Sequence, residues 1–349
     1  MNSVAQVFAK QQQHSTVWQL TIVAFVLVLA VVALGFGPAG WDWRLAFAWP
    51  FSPETFGFSE LQLQVVTQIR FPRLCVAIVI GAVLAQSGTA TQSLCRNPLA
   101  EPSIIGISAG AAVFAVAVIA FAPRFGYSPD LILPYAAFAG ALLTTCLVYF
   151  LANRNGDMQV ITLILVGVAI NALAMALIGL FSFYADDNAL RLINYWTLGS
   201  LAGATWPTIL QALPLLLLSL AGLYWRQSQI NILLLGESEA KYLGIDTRKL
   251  KREIIIWVAL GIGAAVALSG MIGFVGLVMP HIARLIVGPN LKQMLPLAML
   301  LGALMLLLAD WLARVLVAPA ELPIGIITAM IGAPLFVYLL LEQQRGRRG

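Results

Sequence analysis

The chain has 349 residues, of which 60% are hydrophobic and 10% are charged, with a mean hydropathy of +0.91 and a formal net charge of +5. These values exclude an ordinary water-soluble domain, in which about a quarter of the residues are charged. The basic residues cluster at the ends of apolar stretches, so orientation in a membrane explains the positive charge and no nucleic-acid partner is expected.

Nine uncharged stretches follow one another along the chain, each near or above the roughly 20 residues that span a lipid bilayer. They are residues 11–41, 74–95, 102–123, 131–153, 158–185, 192–225, 254–283, 293–309 and 322–341. They lack the alternation of polar and apolar residues typical of barrel strands, so they predict helices. The predicted fold is an all-α, multi-pass membrane protein, with residues 1–349 as a single transmembrane domain.

Two basic segments predict the orientation of the helices. They are a loop at about 226–253 and the tail, with Arg226, Lys241, Arg248, Lys249, Lys251, Arg252, Arg345, Arg347 and Arg348. The positive-inside rule places both in the cytoplasm, so an even number of helices must join them. Only three stretches lie between, and 254–283 is the one with internal glycines and Pro280, so we expect it to be two helices. Ten helices and two cytoplasmic termini follow.

The ionisable residues argue against chemistry within this chain. No lysine follows a glycine, so the phosphate-binding loop of ATPases is absent and no bound nucleotide is expected. The histidines, acidic residues and cysteines are not clustered, so no catalytic residue, metal or cofactor is predicted. Asp310 is the acidic residue predicted deepest in the membrane, and we expect it to pair with Arg314 one helical turn later. His281 is expected to cap a helix end.

The cytoplasmic loop has a pattern of its own. A short helix is predicted from about Glu237 to Leu243, with acidic residues at its amino end. Gly244 is expected to end it in a left-handed conformation, and Asp246 to cap the next helix. A short amphipathic helix held outside the membrane is typical of a docking element. The alternative is a solvated basic loop without a partner.

Seven segments spread over nearly the whole chain carry specific patterns of glycine, proline and charged residues. They are residues 70–74, 81–88, 92–102, 106–110, 243–245, 273–281 and 321–325. Together they resemble the FecCD-type permeases of ATP-binding-cassette importers, which carry iron-siderophores, haem or cobalamin. The resemblance implies a ten-helix subunit of a homodimer in the bacterial inner membrane, with the pathway on the two-fold axis. It also implies two cytoplasmic ATPase subunits, which hold ATP and Mg, and a periplasmic substrate-binding protein.

The resemblance further implies roles for individual residues. The ATPase-coupling segment would be Glu237, Ser238, Glu239, Ala240, Lys241, Tyr242, Leu243, Gly244, Ile245 and Asp246. Arg70, Arg73 and Arg314 match the positions that receive glutamates of the binding protein. Arginines at outer helix ends suit carboxylates as bidentate donors, although snorkelling to the membrane interface would place them there too.

Four polar residues on otherwise apolar helices are candidates for the pathway: Gln86, Ser87, Gln92 and Asn171. They either line it or form hydrogen bonds between helices. Haem or another ferric chelate is the first substrate hypothesis and cobalamin the second. The alternative mechanism is an ion-coupled secondary transporter, which the glycine-broken helix at 270–280 would suit. That mechanism would more naturally keep a carboxylate in mid-membrane, and the sequence places none there.

Overall fold

The computed structural model describes residues 2–37, 40–42, 44, 46, 58–154 and 157–346. These residues are mostly helical, with two antiparallel pairs of two-residue strands, Phe36–Gly37 with Gly40–Trp41 and Asn153–Arg154 with Asp157–Met158. The helices are α1 (Asn2–Gly35), α2 (Glu60–Leu94), α3 (Ile107–Phe121), α4 (Pro129–Ala152), α5 (Val160–Tyr184), α6 (Asp187–Thr197), α7 (Trp206–Leu233), α8 (Glu237–Tyr242), α9 (Thr247–Ser269), α10 (Val275–Val287), α11 (Leu291–Val315) and α12 (Ile324–Gly346).

The helix lengths confirm the all-α, multi-pass class. Within the described residues, eight helical segments are long and apolar enough to cross a membrane, and two shorter apolar ones, Val275–Val287 and Ile324–Tyr338, accompany them. A total of ten crossings and the cytoplasmic position of both termini stay predictions. Residues 347–349, with two of the tail arginines, lie outside the described residues.

The interruption predicted in residues 254–283 is present. Helix α9 ends at Ser269 and α10 begins at Val275, and Gly270 (φ +66°) and Phe274 (φ +69°) turn the backbone between them. Pro280, which was expected to contribute to the break, instead lies inside α10. A proline has no N–H for the carbonyl four residues earlier. That carbonyl, of Gly276, lies directly against Gly88 of α2.

Two other predicted boundaries and one predicted residue role differ from the structure. Residues 192–225 are not one helix, because α6 ends at Thr197 and a turn with Gly199 at φ +75° leads into α7. The loop predicted at about 226–253 is shorter, since α7 continues to Leu233 and α9 begins at Thr247. A helix can carry charges once it leaves the hydrocarbon, so the first charge does not mark its end. His281 is buried within α10 and caps nothing.

Helix α2 is the central element of the bundle. In an apolar segment of 18 residues within α2, 83% of the residues are buried, whereas in the corresponding segment of α5 only 17% are buried. It contacts α7, α9, α10 and α11, and its glycines let two of these approach closely. A Cβ atom on Gly81 would collide with the backbone of Gly302 in α11, and one on Gly88 with the backbone of Gly276 in α10. Small residues at such crossings are how membrane helices come into van der Waals contact.

The crossing of α2 and α10 gives a test of this packing. Gly88→Val should lower the free energy of unfolding by about 1–3 kcal/mol, because the added carbons have no space against the Gly276 backbone. Thermal unfolding in detergent measures the effect. Gly179→Val is the matched control, since nothing lies within 4 Å of a Cβ at that position of α5. Equal midpoints for the two variants would contradict the proposed close packing.

Candidate functional site

A cluster of five charged side chains lies where the amino-terminal half of α2 meets the carboxyl end of α11. Arg73 Nε donates to Asp310 Oδ1 at 2.5 Å, and its Nη1 donates to Glu321 Oε2 at 2.7 Å. Arg314 Nη2 lies 3.1 Å from Asp310 Oδ2, which confirms the ion pair predicted one helical turn apart. Arg70 completes the cluster. Arg73 and Arg314 therefore share the carboxylate of Asp310, which is fully buried, while Arg70 lies close enough to Arg314 for the two cations to repel each other.

Two of these arginines also bind the end of α1. Arg70 Nη1 donates to the carbonyl oxygen of Leu34 at 2.6 Å, and Arg314 Nη1 donates to that of Ala33 at 3.4 Å. The last carbonyls of a helix have no partner within the helix, so these guanidinium groups satisfy oxygens that lipid could not. The cluster thus joins α1, α2, α11 and the segment before α12.

The exposure of these side chains bears on the predicted docking role of the arginines. Arg70, Arg73 and Arg314 are only 7%, 3% and 6% exposed, whereas the side chain of Glu321 is 31% exposed. Glu321 is therefore the accessible member of the cluster in this conformation. Binding of the three arginines to a partner protein stays a prediction.

The polar residues proposed for the pathway mostly bond to backbone carbonyls of other segments. Gln86 Nε2 donates to Leu220 O at 3.0 Å, and Asn171 Nδ2 donates to Ser103 O at 3.1 Å. Gln92 Nε2 donates to Leu277 O at 3.1 Å, while its Oε1 accepts from Arg284 at 2.9 Å. These contacts favour the interhelical alternative for the three amides. A role of these three residues in lining a pathway stays a prediction, as does the same role for Ser87, which is buried.

Glu101 has a role that the sequence did not reveal. Its Oε1 accepts from the backbone N–H of Phe274 at 3.3 Å, and its Oε2 accepts from Ser103 Oγ at 3.1 Å. The carboxylate therefore sits at the amino end of α10, where the helix dipole favours a negative charge. It also borders a cavity of about 190 Å³ between α2, α9 and the break before α10. In the sequence, Glu101 was distinguished only by its position in residues 92–102, one of the seven segments that carry the family resemblance.

The loop between α7 and α9, predicted to be cytoplasmic, has the local structure that its sequence predicts. Helix α8 ends before Gly244, which has φ +80°, and the N–H of Ile245 bonds back to Ala240 O at 3.0 Å. Asp246 accepts from the N–H of Lys249 at 3.0 Å and so caps α9. Tyr242 and Leu243 are 91% and 62% exposed, which leaves an apolar surface outside the membrane-spanning helices.

Lys251 is the residue of this region whose placement the sequence analysis missed. It was counted only as a loop charge, yet it is 2% exposed and its Nζ lies 3.0 Å from Glu237 Oε2. The helical periodicity of the sequence could have predicted this burial, because Lys251 falls on the same face of α9 as the buried residues Thr247, Ile254 and Val258. A lysine on a buried helix face requires a partner.

Comparisons with known proteins agree over nearly the whole chain. The sequence pattern of the FecCD transport family matches residues 9–342. The hemin transport system permease protein HmuU of Yersinia pestis is 41% identical over 332 residues, covering 94% of this chain and 97% of HmuU. The vitamin B12 import system permease protein BtuC of Vibrio cholerae is 42% identical over 296 residues, covering 84% and 86% of the two chains.

A solved structure also has this fold. It is described as an inward-facing conformation of a metal-chelate type ABC transporter, and it aligns with a TM-score of 0.80 at 34% identity. The alignment covers 93% of this chain and 98% of the other. The structural similarity therefore extends over nearly the whole chain.

The charge cluster predicts an unequal effect of removing its two carboxylates. Asp310→Asn should lower the free energy of unfolding by about 3–5 kcal/mol, because it leaves two buried guanidinium groups without their shared anion. Glu321→Gln should cost about 0–1 kcal/mol, since the 31% exposed side chain is partly replaced by water. Thermal unfolding in detergent compares the variants, and equal losses would show that Asp310 is not the central anion.

Proposed function

Because the chain belongs to the FecCD transport family, we propose that it is the membrane-spanning permease of an ATP-binding-cassette importer, driven by separate ATPase subunits. The observation that carries the proposal is helix α8, a short helix outside the membrane-spanning segments with exposed apolar side chains. The chain has no phosphate-binding loop of its own, so the free energy of ATP hydrolysis must reach it through contact with another protein.

The proposed ATPase-docking surface consists of Glu237 to Asp246 and centres on Tyr242 and Leu243. Exposed apolar side chains of this kind mark protein interfaces, and aromatic residues contribute strongly to binding there. One ATPase subunit would bind α8 of each permease copy in a homodimer. Closure of the ATPase pair would then shift the permease between an outward-open and an inward-open state, each favoured by different contacts.

The second copy of the permease is proposed to pack on a largely exposed helix. In the apolar 18-residue segment of helix α5, only 17% of the residues are buried. The helix exposes large apolar residues such as Leu165, Val168 and Leu173. An interface on this face would place α5 beside the two-fold axis, whereas Asn171 falls on the opposite, buried face of α5 with Gly167 and Ala174 and bonds to Ser103 of its own chain.

On the outer side, the proposed partner is a substrate-binding protein that presents carboxylates to Arg70, Arg73 and Arg314. Glu321 is the exposed partner of Arg73, so an incoming carboxylate would reach Arg73 by displacing Glu321. Bidentate arginine–carboxylate pairs provide both strength and orientation for such docking. The complex would lie in the bacterial inner membrane, with this partner in the periplasm.

Haem or another ferric chelate is the proposed substrate, with cobalamin as the alternative. Relatives named for hemin and for vitamin B12 are similar to this chain to nearly the same degree, at 41% and 42% identity. An ion-coupled mechanism receives no support from Asp310, because Arg73 and Arg314 both engage its carboxylate. That pairing suits a structural anion better than a proton carrier.

Substitution of the exposed residues of the ATPase-docking surface tests the docking proposal. The double variant Tyr242→Ser, Leu243→Ser should weaken binding of the cognate ATPase by about tenfold or more, since an aromatic anchor at an interface contributes roughly 2 kcal/mol. Co-purification and titration in nanodiscs measure it. Tyr127→Ser is the matched control, a 63% exposed tyrosine on the predicted outer side. Unchanged affinity of the double variant would contradict the proposal.

The substrate proposal calls for uptake measurements in proteoliposomes that contain the permease, its ATPase and its binding protein. Labelled haem, a ferric siderophore and cobalamin are compared with and without internal ATP. We expect ATP-dependent uptake of haem or the siderophore. Uptake of cobalamin alone would select the alternative, and uptake that follows an imposed ion gradient without ATP would refute the importer assignment.

A further inference from the structure

Lys251 is among the largest fully buried side chains in the described part of the chain. Its ammonium group donates to the carbonyl oxygen of Met158 at 2.8 Å and to Glu237 Oε2 at 3.0 Å. An ammonium group is costly to remove from water unless it is paired and hydrogen-bonded, so the site must hold both partners close to Lys251 whenever it is packed.

Met158 and Glu237, which both accept from Lys251, belong to different segments. Glu237 is the first residue of α8, and Met158 lies in the strand pair between α4 and α5, two residues before α5 begins at Val160. Lys251 itself lies in the second turn of α9. The ammonium group of Lys251 therefore connects α8 to the starts of α5 and α9.

The backbone alone does not hold α8 in this place. Glycines flank the helix at Gly236 and Gly244, with φ values of +140° and +80°, and these positions suit turns better than rigid connections. Ala240 is fully buried and supplies a packing contact. The bond between Lys251 and Glu237 adds a directional connection between α8 and α9, across the turn at Gly244.

Both membrane helices lead from Lys251 to other functional regions. At the far end of α9, the carbonyl of Ser269 accepts from the N–H of Ser200 at 2.7 Å, and Gly270 lies against Trp196 of α6. Helix α5 leads from Met158 to Asn171, which bonds to Ser103 beside Glu101. A movement of Lys251 would therefore reach the outer turn after α6 and the segment that caps α10.

We propose that Lys251 is the joint that converts a displacement of α8 into a simultaneous displacement of α5 and α9. It is a positioning residue, and this role rests on the proposed function of α8 as the ATPase-docking helix. The nearby pair of Arg226 and Glu253, at 2.6 Å, joins α7 to α9, and the Arg226 side chain is 36% exposed. It provides a comparison, because it is an ion pair of the same region that connects α9 to a different helix.

The test uses the complete transporter in proteoliposomes, with Lys251→Met, Lys251→Arg and the control Arg226→Met. Lys251→Met should bind the ATPase like the wild type and hydrolyse ATP, but transport per ATP should fall by about tenfold or more. Lys251→Arg should recover most of the coupling, because a guanidinium group can bond both partners. Arg226→Met should stay within about twofold of the wild type. Labelled haem and cobalamin are the transport probes.

Hydrogen exchange provides a readout that does not depend on the substrate. In the wild type, ATP should change exchange both at the start of α5 and in the turn after α6, and in Lys251→Met neither region should respond. Full coupling and an unchanged exchange response in Lys251→Met would overturn the proposal, as would equal uncoupling by Arg226→Met. If Lys251→Met does not fold, Glu237→Ala decides, because it removes the same ion pair at a 31% exposed side chain. Its transport per ATP is measured at saturating ATPase, since Glu237 also lies in the docking surface; an unchanged ratio would overturn the proposal.

Failure of the ATPase to bind the wild-type permease would instead refute the proposed function. Normal binding by the wild type together with full coupling in the Lys251 and Glu237 variants would leave the function intact and refute only the joint. The two outcomes are therefore distinguishable in one set of experiments.

Discussion

The structure depends on one constraint, which is that a backbone N–H or C=O without a helical partner has no water to bind inside a bilayer. At several points where the chain leaves a helix, a polar side chain from another segment supplies the missing bond. Arg70 and Arg314 serve the end of α1, and Glu101 serves the start of α10. Lys251 does the same for the strand pair before α5, next to α8. The few polar residues in apolar helices therefore hold the bundle together at its irregular points.

This constraint also links the architecture to the proposed transport cycle. A conformational change must move the irregular segments together with the side chains that satisfy them, because separating the two would expose unpaired polar groups. Groups such as Glu101 with Phe274, or Lys251 with Glu237, are then expected to move as units. The rigid part of the molecule is the close glycine packing of α2 against α10 and α11, against which such units can shift.

The sequence was sufficient for the helical class, the break after Ser269 and the short helix α8, because these follow from local patterns. A long uncharged stretch indicates a membrane-spanning helix, because charged side chains are costly in the hydrocarbon layer. Glycines and a capping aspartate indicate where helices end and begin. It was not sufficient for the contacts of the charged residues. Arg73 and Asp310 are 237 positions apart, and no local pattern tells which distant helix a buried arginine meets. Helix ends beyond the hydrocarbon, as in α7, were missed because charge is no obstacle to helix formation in water.

Helix α10 has only 13 residues, so at 1.5 Å per residue it is about 20 Å long, whereas the hydrocarbon layer is about 30 Å thick. A crossing of the membrane at this place would need the irregular backbone next to α10, residues 270–274, and the neighbouring turn Pro102–Ile105 to supply the remaining length. The insulation of the membrane there would then depend on hydrogen bonds between segments, such as that of Glu101 to Phe274, and not on a continuous helix.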